Sequence, residues 1–119
     1  MRVLVAGHEN WADANAIWRE IDACYPPDHP ESMLVAHAGR ARGLDMLVAC
    51  LCEEAGIQQV VFPATPSQPD PVFHYKTAIK ILQPHMLLAF HKFMPNSKTT
   101  KQIYEYAQDR GIMAKQVSM

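Results

Sequence analysis

The sequence predicts an α/β fold: a single Rossmann-like, doubly wound domain over residues 1–119, with a mainly parallel sheet of about five strands and helices on both faces. The first observation is that short apolar runs alternate with longer segments in which apolar residues recur at helical spacing. The second is that proline is concentrated in residues 26–30 and 63–71. Because proline cannot donate to a helix or a central strand, both stretches are predicted loops.

The predicted strands are short apolar runs ended by a glycine, a proline or a polar residue. They are Arg2–Ala6, Met33–His37, Gln59–Phe62, Met86–Phe90 and an edge strand within Ile112–Val117. The predicted helices lie between the strands and are Asp13–Tyr25, Leu44–Ala55, a short segment His74–Leu82, and Lys98–Arg110. Asp13 is expected to cap the first helix, while Gly56 and Gly111 follow the second and the last.

Composition and charge exclude several classes of protein. Hydrophobic residues make up 49% of the chain and charged residues 19%, which excludes an intrinsically disordered chain. The formal net charge is −1, so the chain lacks the basic excess that nonspecific nucleic-acid binding requires. We expect no direct sequence-specific binding of nucleic acid either. One small anionic ligand, held by a few local cations, remains compatible with this balance.

Cysteine usage and the apolar runs predict a cytoplasmic protein. The three cysteines, Cys24, Cys50 and Cys52, are an odd number, and the last two have a poor spacing for a disulfide. The longest strongly apolar run, Met46–Cys52, is far shorter than the ~20 residues that a membrane span needs. The apolar N-terminal run is too short for a signal peptide. We therefore expect reduced thiols and no membrane partner.

The predicted strand ends map the candidate site. In a doubly wound parallel sheet, ligands bind outside the carboxyl ends of the strands, near the point where strand order reverses. Polar, glycine-containing and cationic groups follow the predicted strands. These segments are Gly7–Trp11, His37–Asp45, Pro63–Thr65 and His91–Thr100. Their gathering at one predicted edge indicates a ligand site.

The segment Gly39–Asp45 carries the strongest local signal. It joins a predicted strand to a helix through a loop with two glycines, which lets backbone N–H groups and a helix N-terminus approach a phosphate. Arg40 and Arg42 would add charge-assisted hydrogen bonds, and Asp45 would cap the helix or accept bonds from ribose hydroxyls. A tight turn with a capped helix and two solvated arginines is equally compatible with this spacing.

The segment Ser97–Thr100 carries the second signal. Hydroxyl groups and a lysine at a helix start suit phosphate or carboxylate oxygens. Ordinary helix capping by Ser97 or Thr99 is the alternative. The segment is not a phosphate-binding loop of the Walker A type, because no glycine precedes Lys98 at the required spacing.

Aromatic and histidine side chains also follow the predicted strands. Trp11 is placed either to stack on a base or to pack against the first helix. His8, His37 and His91 each come just after a strand and could approach one cleft. Paired-histidine spacings such as H-E-x-x-H are absent from the sequence, so we predict no metal site and no other cofactor.

Five segments, taken in order, resemble the YspA-like branch of the SLOG superfamily over nearly the whole chain. They are Arg2–Gly7 with Trp11, Val35–Asp45, Val61–Ala64, Leu88–His91 with Ser97–Thr100, and Ala107–Ile112. The resemblance implies a Rossmann-like sheet that binds nucleotides or nucleotide-derived molecules. Members of this branch are frequent in phages and mobile elements. Relatives of this branch include lysine-decarboxylase-like phosphoribohydrolases and the DNA-processing protein DprA. The ligand loops implied are Gly7–Trp11, Gly39–Asp45 and Ser97–Thr100.

The sequence departs from the enzymes among those relatives. The phosphoribohydrolase pattern, Pro-Gly-Gly-x-Gly-Thr followed by a catalytic glutamate, is absent from the chain. Lys101, Gln102 and Ile103 follow Thr100, so the carboxylate that this chemistry needs there is missing. Thr99 also stands where the family usually has a glycine.

Three functions are therefore considered. The first is binding, as a sensor or sequestering protein, of a nucleotide or nucleotide-derived small molecule. The second is a hydrolase that cleaves an N-glycosidic or phosphate bond, with Glu9 or Asp45 as the catalytic base and His8 or His37 assisting. The third is a phage or mobile-element interaction protein with a vestigial pocket. In each case we expect a homodimer or larger assembly. The expected ligand-binding residues are Gly7, His8, Trp11, His37, Gly39, Arg40, Arg42, Gly43, Asp45, Ser97, Lys98, Thr99 and Thr100.

Overall fold

The computed structural model describes residues 1–7, 11–25, 28, 30–40, 43–63, 65–91 and 98–118. Strands and helices alternate along these residues, with one additional 3₁₀ turn at Pro30–Ser32. The strands are β1 (Arg2–Gly7), β2 (Leu34–His37), β3 (Gln58–Val61), β4 (Met86–His91) and β5 (Met113–Ser118). The helices are α1 (Ala14–Cys24), α2 (Leu44–Ala55), α3 (Pro71–Leu82) and α4 (Lys98–Asp109).

The five strands form one sheet in the order β3-β2-β1-β4-β5. Each pair of neighbouring strands is parallel. The chain passes from β1 to β2 and β3 in one direction, and α3 then returns it to β4 on the other side of β1. Strand order therefore reverses between β1 and β4, and the predicted doubly wound α/β fold is confirmed.

The two faces of the sheet carry separate apolar layers. Successive side chains of a strand point to opposite faces, so Val3 and Val5 pack with α1 and α2, whereas Leu4 and Ala6 pack with α3 and α4. Because helices cover both faces, the central strands are apolar throughout rather than alternating with polar residues. No helix of the described residues combines the length and apolarity that crossing a bilayer requires.

The helix ends show which local sequence signals were sufficient to predict where a helix begins or ends. Asp13 Oδ1 accepts a hydrogen bond from the Ala16 N–H at 3.1 Å, which confirms the predicted cap. The predicted bounds of α2 are confirmed, and Gly56 ends this helix in the left-handed conformation. Helix α3 begins at Pro71, three residues before the predicted start, inside a stretch that the prolines assigned to a loop. Proline suits the first position of a helix, and Asp70 caps that start.

Candidate functional site

The carboxyl ends of β1 and β2 are not paired with each other. Their pairing ends at Leu4 and Ala36, so the last part of β1 extends beyond its neighbour. Here the carbonyls of Val5 and Gly7 accept hydrogen bonds from side chains. Tyr75 of α3 donates its hydroxyl to Val5 O at 3.1 Å, and Arg40 donates Nη2 to Gly7 O at 2.9 Å. Side chains of α3 and of the loop between β2 and α2 thus hold this end of β1.

Arg40 is tied to Asp45 as well as to β1. Its Nε lies 2.7 Å from Asp45 Oδ2, and its backbone N–H donates to the same oxygen at 3.1 Å. The Asp45 carboxylate is completely buried, whereas the Arg40 side chain is 37% exposed. A buried carboxylate needs such a partner, because leaving water costs it several kcal/mol. The ion pair therefore fixes the loop between β2 and α2 and neutralises much of the Arg40 charge.

One oxygen of this buried carboxylate is left over. Asp45 Oδ1 is buried and has no hydrogen-bond partner among the residues described. A carboxylate oxygen accepts hydrogen bonds only, so it suits a hydroxyl or an N–H of a ligand.

The two glycines of the same loop have backbone reasons of their own. Gly39 and Gly43 have φ angles of 74° and 69°, which side chains rarely allow. A Cβ atom on Gly39 would also lie 2.4 Å from Val61 Cγ1. Gly43 is the N-cap of α2 and provides no side-chain cap, so the first N–H groups of α2 receive no hydrogen bond from their cap residue.

Gly7 brings three elements together at the reversal of strand order. A Cβ atom here would lie 2.3 Å from Phe90 O on β4 and 2.7 Å from the Leu44 side chain at the start of α2. The close packing therefore requires glycine. As a result, the N-terminus of α2 lies against the ends of β1 and β4, where doubly wound sheets bind their ligands.

His37 lies in the core rather than in an open cleft. Its Nδ1 accepts the Gly39 N–H at 3.1 Å, and its Nε2 lies 2.8 Å from Gln59 Oε1. This pattern assigns a neutral ring protonated on Nε2. Both nitrogens are thus used within the protein, and His37 supports the turn that places Gly39.

Trp11 is also buried. Its indole N–H donates to Asp13 O at 2.9 Å, and its ring packs edge-on against Phe90 with centroids 5.3 Å apart. Neither ring face is left for a base unless Trp11 leaves the core, so we omit Trp11 and His37 from the ligand set proposed below.

The first turn of α4 provides the other side of the candidate site. Lys98 and Thr99 are exposed, whereas Thr100 is buried. Helix α4 contacts both β1 and β4, and its N-terminus follows the carboxyl end of β4. Arg40 and Lys98 therefore belong to the same edge of the sheet. The predicted site residues His8, Glu9, Arg42 and Ser97 lie outside the described residues.

The structure adds Tyr75, which the sequence did not assign to the site, and gives a buried position to His91, which the sequence had only placed near the cleft. Tyr75 supports the end of β1, and burial raises the pKa of its hydroxyl, which stays protonated. His91 ends β4, is 5% exposed, and has no hydrogen-bond partner for either ring nitrogen among the described residues. The position of His91 after β4 was a usable signal, whereas the contact from Tyr75 is tertiary and has no sequence signature.

Within the described part of the chain, no group of three or more histidine, cysteine, aspartate or glutamate side chains could hold a metal ion.

Comparison with known proteins assigns the family. The model of the YspA, cpYpsA-related SLOG family matches residues 1–67, which contain β1, β2, β3 and the loop from Gly39 to Gly43. No curated protein and no solved structure gives a significant match. The matched segment is more than half of the 119 residues, and the chain therefore belongs to the YspA, cpYpsA-related SLOG family.

Proposed function

We propose that residues 1–119 act as one domain that binds a nucleotide or a nucleotide-derived small molecule, as a sensor or a sequestering protein. The observation that carries this proposal is the packing of the α2 N-terminus against the ends of β1 and β4 through Gly7. Helix N-termini attract phosphate because their first N–H groups and the helix dipole both favour an anion. Membership of the SLOG family supports the same class of ligand.

The polar groups around this position fit the parts of a nucleotide. The N–H groups after Gly43, which receive no side-chain cap, and the first turn of α4, with Lys98, suit the phosphates. The buried Asp45 Oδ1 suits a hydroxyl of the sugar. Arg40 has a positioning role in this arrangement, because its side chain holds Asp45 and β1. His8, Arg42 and Ser97 remain part of the proposed ligand set, on the sequence argument alone.

Binding is favoured over hydrolysis by the surroundings of Asp45. One of its oxygens already accepts two hydrogen bonds from Arg40, so this carboxylate is committed to a buried ion pair and has one oxygen left for a ligand. A general base must take up a proton during the reaction. Asp45 is thus better suited to hold a ligand hydroxyl than to activate water, and the hydrolase proposal depends on Glu9.

The test is a panel of ligands measured with purified protein. Nucleoside monophosphates and triphosphates, NAD and ADP-ribose are added one at a time, and thermal unfolding and calorimetric binding are recorded. A ligand at a hundred times its Kd is expected to stabilise the protein by about 2.7 kcal/mol. Lys98→Ala and Asp45→Asn are expected to weaken binding about tenfold, the scale of one charged hydrogen bond. Lys101→Ala, an exposed lysine of the same helix, is the matched control and keeps wild-type affinity.

Chromatography of the same mixtures separates the three functions. Unaltered nucleotide together with thermal stabilisation supports binding. Release of free base or phosphate that Glu9→Gln abolishes identifies a hydrolase instead. If no member of the panel stabilises the protein or is altered, nucleotide binding is wrong and an interaction protein with a vestigial pocket remains.

We further propose that two copies pair through the outer faces of α1 and α2. A groove of about 530 Å³ lies between these helices, and Trp18 beside it is 44% exposed. The groove is lined by Ala14, Asn15, Trp18, Leu47, Cys50, Leu51, Glu54 and Ala55. A protruding indole beside an apolar groove is self-complementary across a two-fold axis. Exposed Arg19 next to the indole and Glu54 in the lining supply opposite charges for such a pair.

A further inference from the structure

His91 is a buried polar side chain whose ring nitrogens make no hydrogen bond of good geometry within the described part of the chain. It ends β4, it is 5% exposed, and neither Nδ1 nor Nε2 has a hydrogen-bond partner among the described residues. Buried polar atoms of native proteins nearly always have partners, and an unsatisfied one costs about 1–3 kcal/mol. His91 therefore destabilises the free fold unless a group from outside the described residues completes it.

The position of His91 points toward the proposed site. His91 follows Phe90, which pairs with Gly7 of β1. The Phe90 carbonyl oxygen lies 2.3 Å from the position that a Gly7 Cβ would take. His91 is therefore at the reversal of strand order between β1 and β4. Side chains of β4 alternate, and Leu87 packs on the face covered by α3 and α4, so the His91 side chain lies on that same face. Helix α4 begins on this face, after the carboxyl end of β4.

Gln116 of β5 limits which hydrogen bonds the His91 ring can make with a ligand. Burial lowers the pKa of His91, and an interaction with the Gln116 side chain opposes this shift. The ring is therefore neutral at pH 7, with one N–H and one lone pair. We assign the ring N–H to the side of Gln116, whose carbonyl oxygen can accept it. The nitrogen that remains is an acceptor.

We propose that His91 is a ligand-contacting residue that accepts a hydrogen bond from a hydroxyl or amino group of the bound nucleotide. This inference rests on the nucleotide-binding function proposed above and names a specificity determinant of that site. A neutral acceptor does not attract phosphate, so His91 contacts the sugar or the base. Sites that hydrogen-bond a ligand group reject analogues that lack it, because the buried partner is then left unpaired.

The first test uses the protein without ligand. His91→Leu removes both unpaired nitrogens, so we expect its Tm to rise by about 2–6 °C. His91→Gln keeps a polar side chain and is expected to show a smaller rise. A fall in the Tm of His91→Leu shows that the ring nitrogens are bonded within the protein, and this outcome overturns the proposal.

The second test compares ligands that differ by one donor. AMP, 2′-deoxy-AMP and IMP, or the equivalent guanine series if guanine nucleotides bind better, are titrated calorimetrically into wild-type protein and His91→Leu. We expect the wild-type protein to reject one analogue by about tenfold or more, and His91→Leu to lose that discrimination. The ¹⁵N signal of the unprotonated ring nitrogen is expected to shift when the preferred nucleotide is added.

The outcomes separate the two proposals. Equal affinities of wild-type protein and His91→Leu for every nucleotide overturn the role of His91 while nucleotide binding stands. Absence of binding to wild-type protein overturns both. His85→Gln, one residue before the opposite end of β4, is the control and leaves nucleotide affinity unchanged.

Discussion

At the scale of single residues, the candidate site depends on how its charges are paired. Arg40 and Asp45 were predicted as separate ligand contacts, five positions apart, in the loop after β2 and in the first turn of α2. In the structure they bind each other, and only Asp45 Oδ1 is left over. The sequence shows that both residues lie near the junction of the loop and α2, but their ion pair depends on the packing of this junction against the carbonyl of Gly7, which is tertiary.

We expect Arg40→Ala to lower the free energy of unfolding by about 3 kcal/mol, because it leaves the Asp45 charge buried and unpaired. Urea unfolding followed by tryptophan fluorescence measures the change. Lys115→Ala is the matched control: it removes an equally short but more exposed ion pair with Glu20 and should cost under about 1 kcal/mol. Equal losses of stability in the two variants contradict the role of Arg40 as the partner that stabilises the buried Asp45 carboxylate.

His85 predicts a pH dependence of stability. Its Nδ1 accepts the Arg2 N–H at 2.9 Å, and its pKa is lowered by desolvation first, and then by the charges of Arg2 and the N-terminus. The unfolded chain therefore binds protons more readily than the folded one below the ordinary histidine pKa of 6.5. This contribution to stability is complete above that pH and is lost as the pH falls further.

Thermal unfolding between pH 8 and pH 5 measures this effect. We expect the Tm of wild-type protein to fall below pH 6.5 and that of His85→Gln to fall less steeply. A Tm that rises on acidification over this range, or an unchanged slope in His85→Gln, contradicts the assignment.

At the scale of elements, the loop between β2 and α2 shows why a glycine pattern has two explanations. Gly39 and Gly43 were predicted to expose backbone N–H groups to a phosphate. Both have positive φ angles, so the turn needs them even without a ligand. The same turn leaves the start of α2 without a side-chain cap. The structural and the ligand explanations are therefore both compatible with this one loop.

Two glycine substitutions separate the stability cost of a positive φ angle from the cost of a steric contact. Gly56→Ala places a side chain at φ 69° with nothing nearby and should cost about 1 kcal/mol. Gly39→Ala adds a contact with Val61 at a similar φ angle and should cost about 1–3 kcal/mol more. Chemical denaturation gives both values. If Gly39→Ala lowers the free energy of unfolding no more than Gly56→Ala does, the contact with Val61 is unimportant. The double variant Gly39→Ala/Val61→Ala shows whether removing the Val61 side chain restores part of the lost stability.

At the scale of the whole molecule, the fold was more predictable than the site. Alternating apolar and amphipathic segments determined the strands and helices, because burial on both faces leaves a pattern in the sequence. The start of α3 at Pro71 was missed, since a proline that begins a helix looks like one that interrupts it. The sequence left Trp11 open between core and cleft and placed His37 at the cleft, whereas both are buried, which only tertiary packing decides.

Self-association is a prediction for the whole molecule. Light scattering after size exclusion is expected to give twice the chain mass of 13.4 kDa. Trp18→Ala should shift the protein to a monomer because it removes the exposed indole beside the groove between α1 and α2. Ile81→Ala, an 80% exposed apolar residue of α3, is the control and should remain a dimer. A monomeric wild-type protein, or a dimer that Trp18→Ala leaves intact, contradicts this interface.

The central place of β1 has a consequence for how the protein can be divided. Its neighbours are β2, which lies within the family-matched residues 1–67, and β4, which lies beyond them. A fragment ending at residue 67 keeps three strands but exposes the apolar edge of β1 that β4 covers. Neither half of the chain can thus assemble the crevice alone. Ligand binding and cooperative folding should therefore be lost together. A single proteolytic cut in the connection to α3 should abolish both.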